Sequence, residues 1–185
     1  MQIHPLILAS RSPQRRAILE QLGVGFRVVE PNTDELTDGD PRSVVVENST
    51  RKARSVGGDP VLGVDTEVVL DGRTLGKPAD QAEAELLLGR LSGRTHEVLS
   101  GICVRQAGRE RCSSARTQVC FRNLDPAAVR WYLRSGEWSG RAGGYAIQGK
   151  GAALVESIEG DYWNVVGLPV AELLRLCPGL LAAGD

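Results

Sequence analysis

The sequence predicts an α/β fold, a mixed sheet flanked by helices. Three observations lead there. Strand-like and helix-like segments alternate along most of the chain, the pattern of a sheet with helices packed against it. A long hairpin pattern centred on Ala107-Gly108 adds antiparallel strands, so the sheet is mixed. No internal repeat, low-complexity tract or linker interrupts the 185 residues, a length suited to one domain with a substantial core.

The elements follow in order. Residues 3–9 form a strand pattern, and Ser12 then caps a helix with Pro13 at its first position. That helix presents Ile18, Leu19 and Leu22 on one face and stops at Gly23. Strand pattern resumes over 25–31, and an acidic, turn-rich loop covers 32–41. A helix is predicted for 41–56 despite its β-branched residues. Residues 60–76 read as a strand, a tight Asp71-Gly72 turn and a short return strand. The clearest helix pattern is 79–93, ending at Gly93. The two hairpin strands occupy 95–122, and a capped helix covers 125–136. Residues 140–169 mix glycine-rich turns with strand pattern, 169–177 form a last helix, and a short frayed tail follows.

Composition excludes several classes of function. No apolar run approaches the roughly 20 residues that span a bilayer, and no basic-plus-apolar leader precedes the first strand pattern. The expectation is a soluble, cytoplasmic protein. A formal net charge of −1 argues against a general nucleic-acid binder, which carries a basic stripe. Cys103, Cys112, Cys120 and Cys177 lack metal-type spacing and are expected to be buried reduced thiols. Neither His4 nor His96 sits in a metal or nucleophile motif. There is no G-x-G-x-x-G after the first strand. The stretch GRTLGKP is one residue short of a Walker A loop, with Pro where the magnesium hydroxyl belongs.

What remains points to phosphate chemistry. Ser10, Ser12, Arg15 and Arg16 lie between a strand and a helix N-terminus. Free backbone N–H groups, hydroxyls and forked cations together suit an anion there. Two arginines in that turn are unfavourable for the helix dipole, so an anionic ligand gives them a purpose; two snorkelling side chains are the plain alternative. Asp65 falls mid-strand among valines, where a carboxylate needs a metal, a cation or hydrogen bonds. Glu67 shares its face, and a solvated strand face is the other reading. Asp34 and Glu35, in the acidic loop, are with Asp65 candidate oxygen ligands for a hard divalent cation, and a plain solvated acidic loop is the other reading. Apart from Lys52, Lys77 and Lys150, every basic residue is arginine, and Lys52 and Lys77 supply compact positive charge. The set suggests phosphoryl chemistry on a polyphosphate.

The motifs LASRSPQRRAIL (8–19), TDEL (33–36), RKA (51–53), GVDTEVVLDG (63–72) and GKP (76–78) resemble those of the Maf family. LSGRTHEVLSG (91–101), AGGYAIQGKGA (142–152) and NVVGLPV (164–170) continue the resemblance in order, over nearly the whole chain. The resemblance implies a two-lobed mixed sheet with a central cleft, related to the ITP pyrophosphatases, within one domain over 1–185. It implies hydrolysis of a nucleoside triphosphate to the monophosphate and pyrophosphate, a divalent metal (Mg²⁺ or Mn²⁺), and a homodimer. Such proteins are associated with clearing unwanted nucleotides and with arrest of cell division. By the same resemblance Asp65 is the proton acceptor and Glu35 assists it with metal. Lys52 and Lys77 neutralise phosphate charge, and Ser10, Ser12, Arg15 and Arg16 cradle the triphosphate. Three positions that divide the family by substrate are Gln14, Thr66 and Gln148 here. Thr66 and Gln148 look like the dTTP/UTP branch, whereas Gln14 departs from the Arg usual there and from the Trp of the 7-methyl-GTP branch. Action on 7-methyl-GTP or another purine nucleotide is therefore the alternative substrate reading. A non-catalytic nucleotide-binding regulator of division is the non-enzymatic one.

Overall fold

The computed structural model describes residues 5–181. The first two residues of the expected 3–9 strand, His4 among them, and the second half of the expected C-terminal tail lie outside the described residues. The strands are β1 (Leu6–Ala9), β2 (Phe26–Val29), β3 (Val61–Leu70), β4 (Arg73–Leu75), β5 (Thr95–Gln106), β6 (Arg109–Phe121) and β7 (Val155–Glu159). The helices are α1 (Pro13–Gln21), α2 (Pro41–Arg54), α3 (Gln81–Leu91), α4 (Pro126–Leu133), α5 (Tyr162–Val166) and α6 (Val170–Leu176). The strand order is β2-β1-β3-β5-β6-β7, with β4 also on β3. β1 pairs parallel with both β2 and β3, while β3–β4 and β6–β7 are antiparallel. The fold is thus the expected α/β class with a mixed sheet.

Local chemistry sets the helix starts. The side chains of Ser12, Asp40, Asp80 and Asp125 each accept from a backbone N–H three residues on, and Pro follows directly after Ser12, Asp40 and Asp125. These caps trim the expected 79–93 helix to 81–91, because Asp80 is its cap and Gly93 turns left-handed (φ +67°). The expected 25–31 strand is paired only over 26–29. Within 140–169 the structure adds two 3₁₀ turns (Ala142–Gly144 and Lys150–Leu154) and the helix α5, which the strand-like pattern of that stretch did not predict. Asp161 Oδ1 accepts from Trp163 N at 2.8 Å, and this local turn favours helical entry.

The expectation of four buried, reduced cysteines is corrected. Cys103 and Cys112 face each other across the β5–β6 hairpin and are joined as a disulfide, with Cys112 on the exposed side. Cys120 and Cys177 are free and half-buried. Spacing along the sequence did not show this pairing, because hairpin register decides which two side chains meet.

The chain divides into two compact units. The first holds residues up to 66, 100–115 and from 167 onward. Its organising contact is α2 lying directly on the sheet. A Cβ on Gly63 of β3 would stand 2.0 Å from Ser49 O, and one on Gly101 of β5 would stand 2.0 Å from Val45 O. Only glycine permits backbone to approach this closely. Ile7, Ala9, Ala53, Val56, Val61 and Cys103 form a small apolar cluster in this unit.

The second unit holds 67–99 and 116–166. Its larger core packs Leu87, Leu88 and Leu91 of α3 with Tyr132 of α4, Phe121 of β6 and Tyr145. Buried His96 lies edge-on to Phe121 and Tyr145, and its Nε2 is 2.8 Å from Tyr145 Oη. No helix among the described residues is long and apolar enough to cross a membrane.

Candidate active site

In the first unit the buried side chains of Asp65 and Lys52 meet at the junction of β3 and α2. Lys52 Nζ lies 2.6 Å from Asp65 Oδ1 and 2.6 Å from Glu35 Oε1. Asn48, one helical turn before Lys52, donates from Nδ2 to Asp65 Oδ2 at 3.0 Å. The i, i+4 spacing puts Asn48 and Lys52 on the helix face that Gly63 lets press against β3. Asn48 also fixes the acidic loop, since Leu36 N donates to its Oδ1 at 2.7 Å and its Nδ2 donates to Leu36 O at 3.0 Å. Two carboxylates from segments 30 residues apart in sequence are thereby held on one ammonium. A buried charge pair of this kind survives only when hydrogen bonds serve its remaining lone pairs, and Asn48 does so.

A second cluster surrounds Arg15. Its side chain is buried and donates from Nε to Gly167 O (2.8 Å), from Nη1 to Ser10 Oγ (3.0 Å) and from Nη2 to Thr66 Oγ1 (3.1 Å). Burial pulls the guanidinium below its ordinary pKa, while the negative fields of Asp65 and Glu35 push it back up. Ser10 Oγ also accepts from Ser12 N at 3.1 Å, which leaves the Ser10 hydroxyl proton as a donor. Thr66 Oγ1 and Ser100 Oγ share a hydrogen bond at 2.8 Å. Ser12 Oγ donates to Gln14 Oε1 at 3.0 Å and caps α1 through Arg15 N. Arg16 points outward and pairs with Glu20, four residues on, at 2.8 Å. The two adjacent arginines therefore differ: one is locked inside with two N–H groups to spare, and the other is solvated.

Lys77 and Gln148 lie in the second unit and are exposed. Lys77 sits in the loop between β4 and α3, and Gln148 between the two 3₁₀ turns. The first unit thus gathers Ser10, Ser12, Gln14, Arg15, Glu35, Lys52, Asp65 and Thr66, with Arg16 at its margin. Sequence reasoning missed Asn48 and Ser100. The signal for Asn48 was its spacing of four from Lys52. Ser100 gave no local signal, since its partner is 34 residues away.

The donor set suits a hard divalent cation in part. Among the described residues no three His, Cys, Asp or Glu side chains cluster as a metal cage. Asp65 and Glu35 do converge on a single point of positive charge, and Mg²⁺ commonly takes one or two carboxylates and completes its shell with water and substrate phosphate oxygens. Asp65 and Glu35 are two such carboxylates, and the Lys52 ammonium already lies between them.

Comparison with known proteins shows what the chain is similar to. The sequence profile of the family described as Maf-like protein matches residues 5–179. The chain is 47% identical over 177 residues to a dTTP/UTP pyrophosphatase of Symbiobacterium thermophilum, covering 92% of this chain and 91% of that protein. It is 47% identical over 174 residues to a dTTP/UTP pyrophosphatase of Thermococcus gammatolerans, covering 92% and 94%. A dTTP/UTP pyrophosphatase of an Anaeromyxobacter species is 49% identical over 178 residues, covering 92% and 87%.

Proposed function

The chain belongs to the Maf family, and from that premise we propose that it hydrolyses nucleoside triphosphates, dTTP and UTP foremost, to the monophosphate and pyrophosphate. The observation that carries this reading is the buried Asp65 held by Lys52 and Asn48 beside the Arg15–Ser10 cluster.

Hydrolysis needs a water to attack the α-phosphorus, a group to take its proton, and positive charge on the leaving pyrophosphate. Asp65 is the acceptor in this reading. Each of its oxygens is engaged once, and a carboxylate has lone pairs left for a water. Lys52 and Asn48 hold the carboxylate in one orientation, so the water it accepts from has one line of approach. The Ser10 hydroxyl and the spare N–H groups of Arg15 are donors for phosphate oxygens. Lys77 adds charge that offsets what builds up on the departing pyrophosphate, whereas Arg16 faces solvent and is paired with Glu20. Asp65 and Glu35 are the residues to hold a divalent cation. Such an ion, Mg²⁺ or Mn²⁺, supplies further charge neutralisation at the phosphate oxygens when bound.

Thr66, Gln148 and Gln14 are assigned to base choice. Gln148 is exposed, and an amide can present both a donor and an acceptor to a pyrimidine edge. The homodimer belongs to the same proposal, and light scattering of the purified chain tests it. A panel of dTTP, UTP, CTP, GTP, ITP and 7-methyl-GTP assayed for pyrophosphate with Mg²⁺ or Mn²⁺ tests the activity. Highest turnover on dTTP or UTP is the expected outcome. Highest turnover on 7-methyl-GTP would overturn the base assignment, and binding without turnover at any metal concentration would overturn the enzymatic reading.

A further inference from the structure

Arg141 differs from the other arginines of the described chain. Arg27, Arg73, Arg90, Arg109, Arg130 and Arg134 also lack a side-chain hydrogen bond, but all of them are exposed to water. Arg141 is half-buried, and its Nε is buried with no acceptor. Among the described residues its guanidinium forms no ion pair. The groups that pull on it electrostatically are Tyr132 and Glu137, and neither accepts a hydrogen bond from it among the described residues. Tyr132 Oη accepts from Ala146 N at 2.9 Å, and Glu137 Oε2 accepts from Lys150 N at 2.7 Å. A guanidinium taken partly out of water without an acceptor is costly, and such a group calls for an anion.

The backbone shows where that anion would lie. Arg141 opens the turn 141–144, closed by Gly144 N donating to Arg141 O at 3.0 Å. Gly143 N donates to Gly76 O at 3.1 Å, next to Lys77, and a Cβ on Gly144 would stand 3.5 Å from Pro78 Cγ. The turn holding Arg141 is therefore fastened on both sides of Lys77. Gly143 (φ +68°) has a left-handed backbone, and a Cβ there would crowd Val68 at 3.0 Å, so the turn has little freedom to move away. Burial lowers the guanidinium's pKa from its ordinary value, the direction expected for a cation awaiting its counter-charge.

We propose that Arg141 and Lys77 form an anion subsite within the second unit that takes a phosphate group. The identity of that anion rests on the nucleotide-hydrolysis reading. The planar fork of Arg141 grips two phosphate oxygens, while Lys77 supplies a point charge.

Inorganic pyrophosphate is the probe, because it needs no turnover. In calorimetric titration of the full chain, R141Q is expected to bind pyrophosphate about 10- to 100-fold more weakly than wild type. KM for UTP should rise in parallel. R141K should recover part of the affinity, and R130Q, at an exposed arginine, should bind as wild type. Pyrophosphate binding by a folded R141Q that matches wild type would overturn the subsite. If R141Q does not fold, wild-type protein is treated with phenylglyoxal and the adduct on the Arg141 peptide is quantified by mass spectrometry. Protection of that peptide by pyrophosphate supports the subsite, and unchanged labelling overturns it. Arg141-dependent pyrophosphate binding in a chain that hydrolyses no nucleoside triphosphate would support the subsite while sinking the nucleotide reading.

Discussion

Asp65 and Lys52 form the pair on which the proposed chemistry turns, and the two partners should fail differently. Asp65→Asn keeps the shape and leaves Lys52 paired with Glu35, so the fold should hold while kcat falls about 100- to 10,000-fold, the range for a lost general base. Activity at the wild-type level would remove Asp65 from the reaction. Lys52→Met instead leaves Asp65 charged and buried, which should cost about 3–5 kcal/mol in urea unfolding as well as activity. Thr66 gives a subtler test. Its hydroxyl serves Arg15 Nη2 and Ser100 Oγ, so Thr66→Val should cost about 1–3 kcal/mol, while Thr66→Ser stays near wild type. Asp65 was legible because a carboxylate in an apolar strand needs a reason, Lys52 as one of only three lysines, and Glu35 as part of an acidic loop. Arg15 was legible as a cation but not as an inward-facing one. Its partner Gly167 is 152 residues away, and no local pattern announces that.

Among the elements, α2 carries the most consequence. It delivers Asn48 and Lys52 to β3 only because Gly63 and Gly101 remove two side chains from the surface it lies on. Gly63→Ala would put a methyl 2.0 Å from Ser49 O and 2.7 Å from Ala53 N, both backbone atoms that yield only if the helix shifts. The expected outcome is a loss of about 1–3 kcal/mol or more, with activity falling because Lys52 and Asn48 move with the helix. Gly57→Ala is the control: nothing stands within 4 Å of a Cβ there, and its stability should change by less than about 0.5 kcal/mol. Thermal melts of the two variants check both statements. The caps and prolines that begin α1, α2 and α4 were readable as local signals. The close approach of α2 was not, since a glycine in a strand pattern says that something comes near without saying what.

For the whole molecule, pH is the most revealing probe. His96 is buried against Phe121 and Tyr145, and burial drops its pKa from 6.5 to about 4. The unfolded chain therefore binds this proton more readily between those values. The stability it contributes is complete above pH 6.5, and about 3 kcal/mol of it is lost as pH falls to 4 and below. Asp40, Asp71, Glu110 and Glu172 have lowered pKa values, so they lose their contributions further into acid. Denaturant unfolding between pH 7 and 4.5 should show a slope that His96→Gln removes, and an identical slope in that variant would refute the assignment. By itself the sequence determined the class of sheet, the starts of the Pro-led helices α1, α2 and α4 and the residue types suited to a phosphate site. Those follow from interactions within a few residues: side-chain caps, period-two and period-3.6 patterning, and the cost of stranding a charge. Only the tertiary structure decided which arginine turns inward, that Asn48 and Ser100 join the cluster, which cysteines meet, and that Arg141 stands without an acceptor. Each of those depends on groups brought together from distant parts of the chain, where packing and hydrogen-bond satisfaction select the partner.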